Sequence, residues 1–409
     1  MAKERKIAIL ATLDTKGAEA QYLREQLAQL GSRAFVVDMG VVGEASTAAD
    51  ASREEVARLG GTALPLLLAE PTREAAAPVM IAGAIALLQP LVESGEISGV
   101  LGLGGFQGTA ACSEVMRAMP YGLPKVLVST AASGDVAPYV GTRDITMMFA
   151  VGDILGLNAF TRKILANAAG AVHGMALVEV TLDSRRSEKP LIGMTNLGVL
   201  TRGALKAVEL FAERGYEVVV FHAIGSGGRA MEQLMKEGVI GAVFDYAMGE
   251  IADDVFGELR AGGPERLTVA GQLGLPQVLC PGGSEHLGIL VEANQVPERW
   301  KDHEYVFHSP VVFVPRLAAD EFVQVAEEIA ARLQHTSGRA VLMLPLEGTG
   351  SYAMPGGPLR DTASDAAFFA ALRRALPEGI EVVESPTHAE DPEFVRECVD
   401  RLIGLIERA

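Results

Sequence analysis

The chain has 409 residues, of which 49% are hydrophobic and 21% charged. This composition describes a globular protein, and the length exceeds one ordinary core, so we expect two domains. The formal charge of −17 argues against nucleic acid or an anionic membrane as the main partner, because both need basic surface. The three cysteines, Cys112, Cys280 and Cys398, fit no metal-ligand spacing. Such a sparse set indicates a reducing compartment and no metal site.

The amino terminus shows no signal-peptide pattern, so we expect a cytoplasmic protein. The most apolar segment, residues 75–92, is about long enough to span a bilayer. Pro78, Gln89 and Pro90 interrupt it. We therefore predict a buried helix of a globular domain and no membrane partner.

Apolar strands alternate with amphipathic helices along the first half of the chain. The pattern predicts strands at residues 6–11, 33–38, 99–103 and 125–129, and helices at 17–30, 74–93, 109–118 and 153–169. Ser52 and Glu55 form a capping-box pattern that opens another helix. This rhythm predicts an α/β fold with a mainly parallel sheet covered on both faces, which is a doubly wound, Rossmann-like domain.

A polar segment that ends at Pro190 interrupts the pattern, which then restarts. At an offset of 184 residues Ile7 aligns with Leu191 and Gly31 with Gly215. Both copies read strand, helix, glycine, strand. The similarity indicates an internal repeat, although two unrelated βαβ units would also align in this way. We predict Rossmann-like domains at 1–180 and 190–409, joined by a linker at about 181–189.

Glycines cluster where the predicted strand at 99–103 ends and a helix begins. We call residues 102–109 the first glycine turn; it contains Gly102, Gly104, Gly105 and Gly108 and ends at Thr109. Glycines let backbone N–H groups approach an anion, and the positive end of the helix dipole would lie beneath them. The turn lacks the Walker lysine and the strict dinucleotide spacing. It predicts a phosphate or carboxylate cradle or, alternatively, a tight turn packed for shape.

Other loops follow predicted strands of the first half, where such folds place ligands. Asp14 and Thr15 can cap the following helix, or they and Lys16 and Gly17 can contact a phosphate, with Lys16 supplying a cation. The small residues after the fourth strand can bind phosphate or ribose oxygens or form a plain loop: Ser129, Thr130, Ser133 and Gly134. Arg143 is either a ligand clamp or half of a surface ion pair with Asp144.

The second half has its own candidate loops. The second glycine turn, residues 225–229, offers another anion cradle through Gly225, Gly227, Gly228 and Arg229. Thr195 and Asn196 end a strand and are substrate contacts by position, as are Gly282 and Gly283 after another strand. His286 can act as acid or base. In a helix its side chain would diverge from that of Glu285 by about 100°, so the two need not act together.

These motifs together resemble a known family. The matching segments are residues 12–17, 102–105 with 108–109, 124–130, 133–135 with 138–140, 144–147 and 225–232. The chain is similar to the bacterial and fungal proteins related to the N-terminal half of the tomato mosaic virus resistance protein, a nucleotide-binding inhibitor of viral RNA replication. The resemblance implies two Rossmann-like domains, ATP binding, a homodimer and, in bacterial members, a TIM-barrel protein partner. It does not carry the antiviral role over to this chain.

Two segments depart from the family pattern: Phe106 and Gln107 within the first glycine turn, and residues 282–286. We therefore consider three hypotheses. The chain is an enzyme that binds ATP, with or without Mg²⁺, and acts on a small polar or carboxylate molecule; His286, Arg229 and Lys16 are then its catalytic candidates. Alternatively, it is a non-catalytic nucleotide-binding module. Thirdly, it is an enzyme acting on a phosphorylated metabolite without ATP.

Overall fold

The computed structural model describes residues 5–69, 71–180 and 189–408. The chain divides into two compact units, Met1–Leu182 and Asp183–Ala409. The predicted linker, apart from Lys189, lies outside the described residues.

The first unit contains a five-stranded parallel sheet in the order β2-β1-β3-β4-β5. Its strands are β1 (Arg5–Ala11), β2 (Ser32–Asp38), β3 (Gly99–Gly104), β4 (Lys125–Ser129) and β5 (Thr146–Phe149). Its helices are α1 (Leu13–Leu30), α2 (Arg53–Leu59), α3 (Leu64–Ala69), α4 (Arg73–Glu93), α5 (Phe106–Arg117), α6 (Ala137–Val140) and α7 (Ala159–Ala176). The strand order reverses between β1 and β3, which makes their carboxyl ends a topological switch point.

Alternating residues of β1 explain why helices cover both faces of this sheet. Ile7 and Ile9 pack into a core with α1 and α7, whereas Ala8 and Leu10 pack into a second core with α2, α4 and α5. Successive side chains of a strand point to opposite faces, so a strand buried on both sides is apolar throughout. The predicted doubly wound arrangement is confirmed.

Helix α4 differs from its prediction. Pro78 and Pro90 lie inside one continuous helix instead of breaking it. Both prolines are exposed, so the carbonyl groups left without an N–H partner can bond to water. Of the described residues, only this helix has the length and composition of a membrane span. Only 28% of its most apolar window is buried within the protein, so the prediction of a buried helix is wrong for most of its length.

Two further boundaries in the first unit were predicted wrongly. The helix expected from residue 153 begins at Ala159, because Asn158 forms a capping box with Thr161. The helix expected from residue 109 begins at Phe106, inside the first glycine turn. By contrast, Ser52 caps α2 through the Glu55 N–H as predicted.

The second unit contains a six-stranded parallel sheet in the order β14-β13-β9-β8-β6-β7, and a small antiparallel sheet in the order β10-β12-β11. Its strands are β6 (Ile192–Asn196), β7 (Val218–His222), β8 (Ala242–Ala247), β9 (Gln277–Gly282), β10 (Ile289–Leu290), β11 (Tyr305–Ser309), β12 (Val312–Pro315), β13 (Ala340–Pro345) and β14 (Glu381–Ser385). Its α-helices are α8 (Thr201–Glu213), α9 (Ser226–Lys236), α10 (Gly249–Phe256), α11 (Val269–Gln272), α12 (Ala319–Arg332), α13 (Thr362–Ala375) and α14 (Pro392–Glu407).

The two parallel sheets share one strand order. Strands β7, β6, β8, β9 and β13 follow each other in the second sheet as β2, β1, β3, β4 and β5 do in the first. The glycine after α1, Gly31, has a φ of 88°, and its predicted counterpart after α8, Gly215, has a φ of 74°. The shared order agrees with the predicted internal repeat, and the α/β class with two mainly parallel sheets is confirmed.

Candidate functional site

The first unit holds a pocket of about 700 Å³ at the carboxyl ends of β1, β2 and β3. Open α/β sheets bind ligands at such a switch point. Six of the predicted contact residues line the pocket: Asp14, Thr15, Lys16, Gly104, Gly105 and Gly108. The fold therefore brings the loop after β1 and the first glycine turn together in one cavity.

Helix α5 points its N-terminus into this pocket. Gly105 is its N-cap and makes no side-chain cap, and the first intrahelical N–H donor is that of Thr109, which bonds to the Gly105 carbonyl at 2.8 Å. The N–H groups of Phe106, Gln107 and Gly108 come before it and have no intrahelical acceptor. With the helix dipole, this turn is a favourable place for an anion.

Close packing requires glycine at some positions of the first glycine turn and not at others. A Cβ at Gly104 would lie 2.6 Å from the Gly108 Cα, and one at Gly102 would lie 2.9 Å from the Cys112 Cβ. Close packing of the turn on the helix therefore requires both. A Cβ at Gly105 would meet only the Thr130 hydroxyl, at 3.8 Å. Packing does not explain Gly105, whereas a ligand occupying that space would.

A second helix N-terminus opens on the same pocket. Helix α1 begins at Leu13 after Thr12, whose own side chain makes no cap, although the Leu13 N–H donates to the Asp38 carboxylate at 3.1 Å. Asp14 and Thr15 lie in the first turn, so the prediction that they cap the helix is wrong. Helices α2, α4 and α7 are capped by Ser52, Thr72 and Asn158. Helices α1 and α5, which begin after β1 and β3 at the pocket, therefore have N-cap residues that supply no side-chain cap.

Lys16 places a positive charge in the pocket wall. It interrupts the helical geometry of α1 with φ −125° and ψ 18°, and its N–H bonds to the Thr12 carbonyl at 2.8 Å. The side chain is half-buried. Its ammonium group forms no ion pair with any residue that the structure describes. Lys16 can therefore pair with an anionic ligand without first breaking an internal salt bridge.

Asp14 has a buried oxygen atom with no hydrogen-bond donor. Its Oδ1 is enclosed and unpaired with respect to the described residues. The loop after β2 packs against this carboxylate: a Cβ at Gly40 would lie 3.2 Å from Oδ1, and one at Gly43 would lie 3.2 Å from Oδ2. An unsatisfied buried acceptor is unusual in a folded protein.

The neighbouring carboxylate, Asp38, is fully satisfied. It ends β2, accepts from the N–H groups of Leu13 at 3.1 Å and Gly40 at 2.9 Å, and forms a buried ion pair with Arg53. Arg53 also bonds to the carbonyl of Gly43 at 2.8 Å. Asp38 therefore holds the loops after β1 and β2 together and has no free acceptor directed at a ligand.

Several predicted contacts of the first unit serve the fold instead. The Thr109 and Ser129 hydroxyls are buried and bond to each other at 2.7 Å. Gly17 packs against Ser46, which leaves no space for a Cβ. Gly102 is buried below the turn. None of these residues lines the pocket.

The loop after β4 and Arg143 also lie outside the pocket lining. Thr130 stands beside Gly105, and Ser133 and Gly134 are exposed. Arg143 stacks on the Tyr121 ring at 4.4 Å. Asp144 pairs with Lys125 at 2.7 Å.

Sequence reasoning missed two walls of the pocket. One comprises helix α4 and the residue preceding its N-cap, and its residues are Pro71, Thr72, Arg73, Ala76, Ala77, Met80 and Ile81. The other is the loop after β2, with Met39, Gly40, Val41 and Val42. The second was open to prediction, because β2 is adjacent to the switch point in such folds. Helix α4 carries no local signal, since only packing places it there. Cys112 also lines the pocket; burial raises the pKa of its thiol to about 12, so it stays protonated.

The N–H groups of the second glycine turn bind a carboxylate that belongs to the protein itself. The N–H groups of Gly225 and Gly228 donate to the Glu250 carboxylate at 2.6 and 3.1 Å. Glu250 is fully buried. Arg229 is exposed and donates to the Ala261 carbonyl at 2.9 Å. The predicted substrate role of this turn is contradicted, because an internal carboxylate occupies the N–H groups and Gly227 packs on the His222 carbonyl.

A buried ion cluster holds Glu250 in place. Arg266 is fully buried and pairs with Glu250 at 2.6 Å, with Asp245 at 2.5 Å and with Glu232 at 3.5 Å. Burial raises the pKa of Glu232 to about 7, although Arg266 and the backbone N–H groups of Leu267 and Val269 act to lower it. The cluster ties α9 and α10 to the segment before α11.

His286 is held on both ring nitrogens. Its Nδ1 lies 2.9 Å from the Glu285 carboxylate and its Nε2 lies 3.2 Å from the Arg260 guanidinium. These residues lie in a turn and a β-bridge, not a helix, so the expected divergence of Glu285 and His286 is wrong. Burial acts to raise the pKa of Glu285, but His286, Arg316 and Thr349 lower it to about 2. The imidazole therefore has no free nitrogen for proton transfer in this arrangement.

The other predicted contacts of the second unit are mostly structural. Thr195 is buried and its hydroxyl joins Asp245 to the Ala247 N–H at 2.7 and 2.9 Å. Gly282 packs on the Tyr246 carbonyl, and Gly283 has a φ of 65°. Only Asn196 retains a buried, unpaired oxygen. Among the residues that the structure describes, no three His, Cys, Asp or Glu side chains are placed to hold a metal ion.

Comparisons with known proteins extend over the whole chain. A protein from Clostridium tetani is 38% identical to this chain over 405 residues, which cover 99% of this chain and all of that protein. A protein from Rhizobium meliloti is 34% identical to this chain over 397 residues, which cover 97% of this chain and 98% of that protein. The tomato ToMV resistance protein Tm-1(GCR237) is 33% identical over 316 residues, 76% of this chain and 42% of that protein.

Solved structures are only distantly similar. UDP-GlcNAc 2-epimerase from Neisseria meningitidis, bound to UDP-GlcNAc, has 10% identity and a TM-score of 0.20, with both chains fully covered. Such a score says nothing about a ligand or reaction here. The models described as the N-terminal and C-terminal domains of the uncharacterised protein family UPF0261 match residues 5–181 and 189–406. The chain therefore belongs to the UPF0261 family.

Proposed function

We propose that the first unit is a nucleotide-binding domain that holds ATP through its phosphates. The observation that carries this proposal is the α5 N-terminus, which has no side-chain cap and opens on a pocket of about 700 Å³ at the switch point, where the start of α1 also lines the wall. A pocket of that volume is the size that small-molecule and cofactor ligands occupy. ATP is the nucleotide that the family resemblance implies.

The pocket offers different chemistry to the two ends of a nucleotide. The N–H groups at the start of α5 and the Lys16 ammonium suit phosphate oxygens. Phe106, which is 69% exposed, together with Met80 and Ile81, presents an apolar wall that suits a base. Gly105 leaves open the space between Thr130 and the helix start. These features favour a phosphate-bearing aromatic ligand over a simple carboxylate.

A non-catalytic nucleotide-binding module is the second candidate. It is favoured by the condition of His286, whose two ring nitrogens are both engaged by neighbouring side chains. An enzyme that used this histidine would first have to release it from Arg260. The first candidate remains an enzyme that uses ATP on a small polar or carboxylate molecule. The two candidates share the binding site in the first unit and differ in whether ATP is consumed.

The decisive experiment is a calorimetric titration of the full chain with ATP, ADP, AMP and sugar phosphates. Adenine nucleotides should bind, and mass spectrometry of the incubated mixture should then show whether a product forms. Gly105→Val should abolish binding, because its side chain enters the space that we assign to phosphate. Gly174→Val is the matched control, because Gly174 is an exposed α7 position with no neighbour within 4 Å of a Cβ.

Each outcome separates the candidates. Binding without turnover favours the module, and turnover favours the enzyme. Absence of binding by every adenine nucleotide would reject both, and binding of a sugar phosphate alone would support an enzyme acting on a phosphorylated metabolite. Unchanged ATP affinity in Gly105→Val would remove the phosphate from the first glycine turn.

A further inference from the structure

We infer that Asp14 recognises the sugar hydroxyl groups of the bound nucleotide; this inference rests on the proposed function. The starting point is the unpaired Oδ1 of Asp14, a buried acceptor in the pocket wall. An ionised carboxylate only accepts hydrogen bonds. The described part of the chain supplies no donor to this atom, and the partly buried Asp14 side chain lines the pocket, so we assign to the ligand the donor that the carboxylate receives from the pocket side.

The neighbours of Asp14 explain why the protein does not supply that donor. Gly40 and Gly43 present backbone without side chains to this carboxylate. The nearby Asp38 is an acceptor itself, already bonded to two N–H groups and Arg53. Lys16, two residues away, forms no ion pair with Asp14 within the part of the chain described. The site is therefore built around an acceptor and leaves its partner to come from the pocket.

The position of Asp14 identifies which part of the ligand meets it. It contacts the loop after β2, whereas the phosphate-binding N–H groups follow β3. Strand β1 lies between β2 and β3, and neighbouring strands are about 5 Å apart. A ligand whose phosphates lie on α5 would thus present to Asp14 a group one strand spacing or more away. In a nucleotide the sugar comes next after the phosphates.

The chemistry of the ligand leads to the same group. Phosphate oxygens are acceptors and carry negative charge, so a carboxylate repels them. The donor-bearing groups of a nucleotide are the sugar hydroxyls and the amino group of the base. A carboxylate accepts O–H donors, so the side of Asp14 that faces the pocket matches a sugar hydroxyl. Asp38, which ends β2 and is closer to where a sugar-binding carboxylate is found in dinucleotide folds, is unavailable because Arg53 neutralises it.

The test compares ATP, 2′-deoxy-ATP, 3′-deoxy-ATP and inorganic tripolyphosphate by calorimetry in the full chain. Wild type should bind each deoxy analogue about tenfold more weakly than ATP, because a site built for a hydroxyl discriminates against its absence. Asp14→Ala should lower ATP affinity at least as much and make the three nucleotides equal. Its affinity for tripolyphosphate should not fall, because α5 and Lys16 hold the phosphates.

Two further variants guard the interpretation. Asp14→Asn keeps the shape of the side chain and should lose most of the preference for ATP over the deoxy analogues. It therefore controls for poor folding of the alanine variant. Asp153→Asn changes an exposed carboxylate of the same unit that does not line the pocket, and it should behave as wild type.

Three results would overturn the inference. If ATP and tripolyphosphate both bind and wild type fails to discriminate against either deoxy analogue, the proposed function stands and Asp14 is not the sugar contact. Failure of both ATP and tripolyphosphate to bind would reject the proposed function together with the inference. An effect of Asp14→Ala seen with Mg²⁺ and absent in EDTA would make Asp14 a metal ligand instead.

Discussion

The two glycine turns have the same local features, but they differ in whether a side chain of the protein occupies their N–H groups. Each lies at the start of a helix whose N-cap glycine makes no side-chain cap: Gly105 before α5 and Gly225 before α9. In the second turn Glu250 supplies a carboxylate to the N–H groups. In the first turn no side chain caps the helix and the turn lines a pocket. The second helix N-terminus therefore holds an anion from the protein itself, whereas the first lies open to the pocket in which we propose that a ligand binds.

Topology separates the two turns. The first follows β3, beside the point where the strand order reverses. The second follows β7, an edge strand that corresponds to β2, so the two turns do not occupy equivalent positions in the two sheets. The counterpart position, after β8, is occupied by Gly249 and Glu250 at the start of α10. That segment provides the carboxylate that fills the second turn.

The largest expected effect is on the filled turn. Glu250→Ala should lower the free energy of unfolding by about 3–5 kcal/mol, because it leaves Arg266 and two backbone N–H groups buried with fewer partners. Glu250→Gln keeps an oxygen for the N–H groups and should cost less. Denaturant unfolding measures both. A loss below about 1 kcal/mol in the alanine variant would show that the carboxylate is not what stabilises the turn.

The ion cluster behind the filled turn should make stability depend on pH. The pKa of Glu232 is about 7 in the fold, against 4.5 for the free group. As pH rises from 4.5 to 7 the unfolded chain releases this proton first, so stability falls, by up to about 3 kcal/mol once pH exceeds 7. Unfolding free energies at pH 5 and 7.5 check this. Glu232→Gln should remove that part of the difference, and an unchanged slope would contradict the assignment.

Alanine at matched glycines should distinguish a turn packed for shape from a turn open to a ligand. In Gly228→Ala the Cβ would lie 2.1 Å from the Glu250 carboxylate and 2.5 Å from the Arg266 guanidinium, so we expect a loss of about 1–3 kcal/mol. In Gly105→Ala the Cβ has no such contact, so the free energy of unfolding should fall by less than about 1 kcal/mol. The same variant should weaken ATP binding. Equal destabilisation of both variants by denaturant would remove the contrast.

The smallest effect should come from the cations beside the two turns. Lys16→Met should weaken ATP binding by about 1 kcal/mol, or roughly fivefold, because it removes a half-exposed charge near the phosphates, and the loss should shrink at high salt. Arg229→Met should leave ATP affinity unchanged, since Arg229 stands at the filled turn. Calorimetry at two salt concentrations measures both. Equal losses would mean that general charge, not position, attracts the nucleotide.

Local chemistry made much of the fold predictable. A continuous apolar run predicted strand β1, and the Ser52 cap and the glycine after α1 predicted helix ends. Each of these signals depends only on residues that are neighbours in sequence. Helix α7 was placed six residues early because the mostly apolar stretch at residues 153–157 continues the spacing of the helix that begins at Ala159. The first glycine turn and Lys16 were visible in sequence because strand ends and glycines are local signals.

The rest of the site depends on residues far apart in the chain. The sequence by itself determined the α/β class, the repeated strand pattern and two glycine turns suited to anions, since backbone N–H groups and helix starts are local features. Tertiary structure alone decided that Glu250 fills one turn, that Asp38 is neutralised by Arg53, and that α4 walls a pocket in which Asp14 is left without a donor. Occupancy of a hydrogen-bonding group depends on what packs against it, and that is settled only when the chain folds.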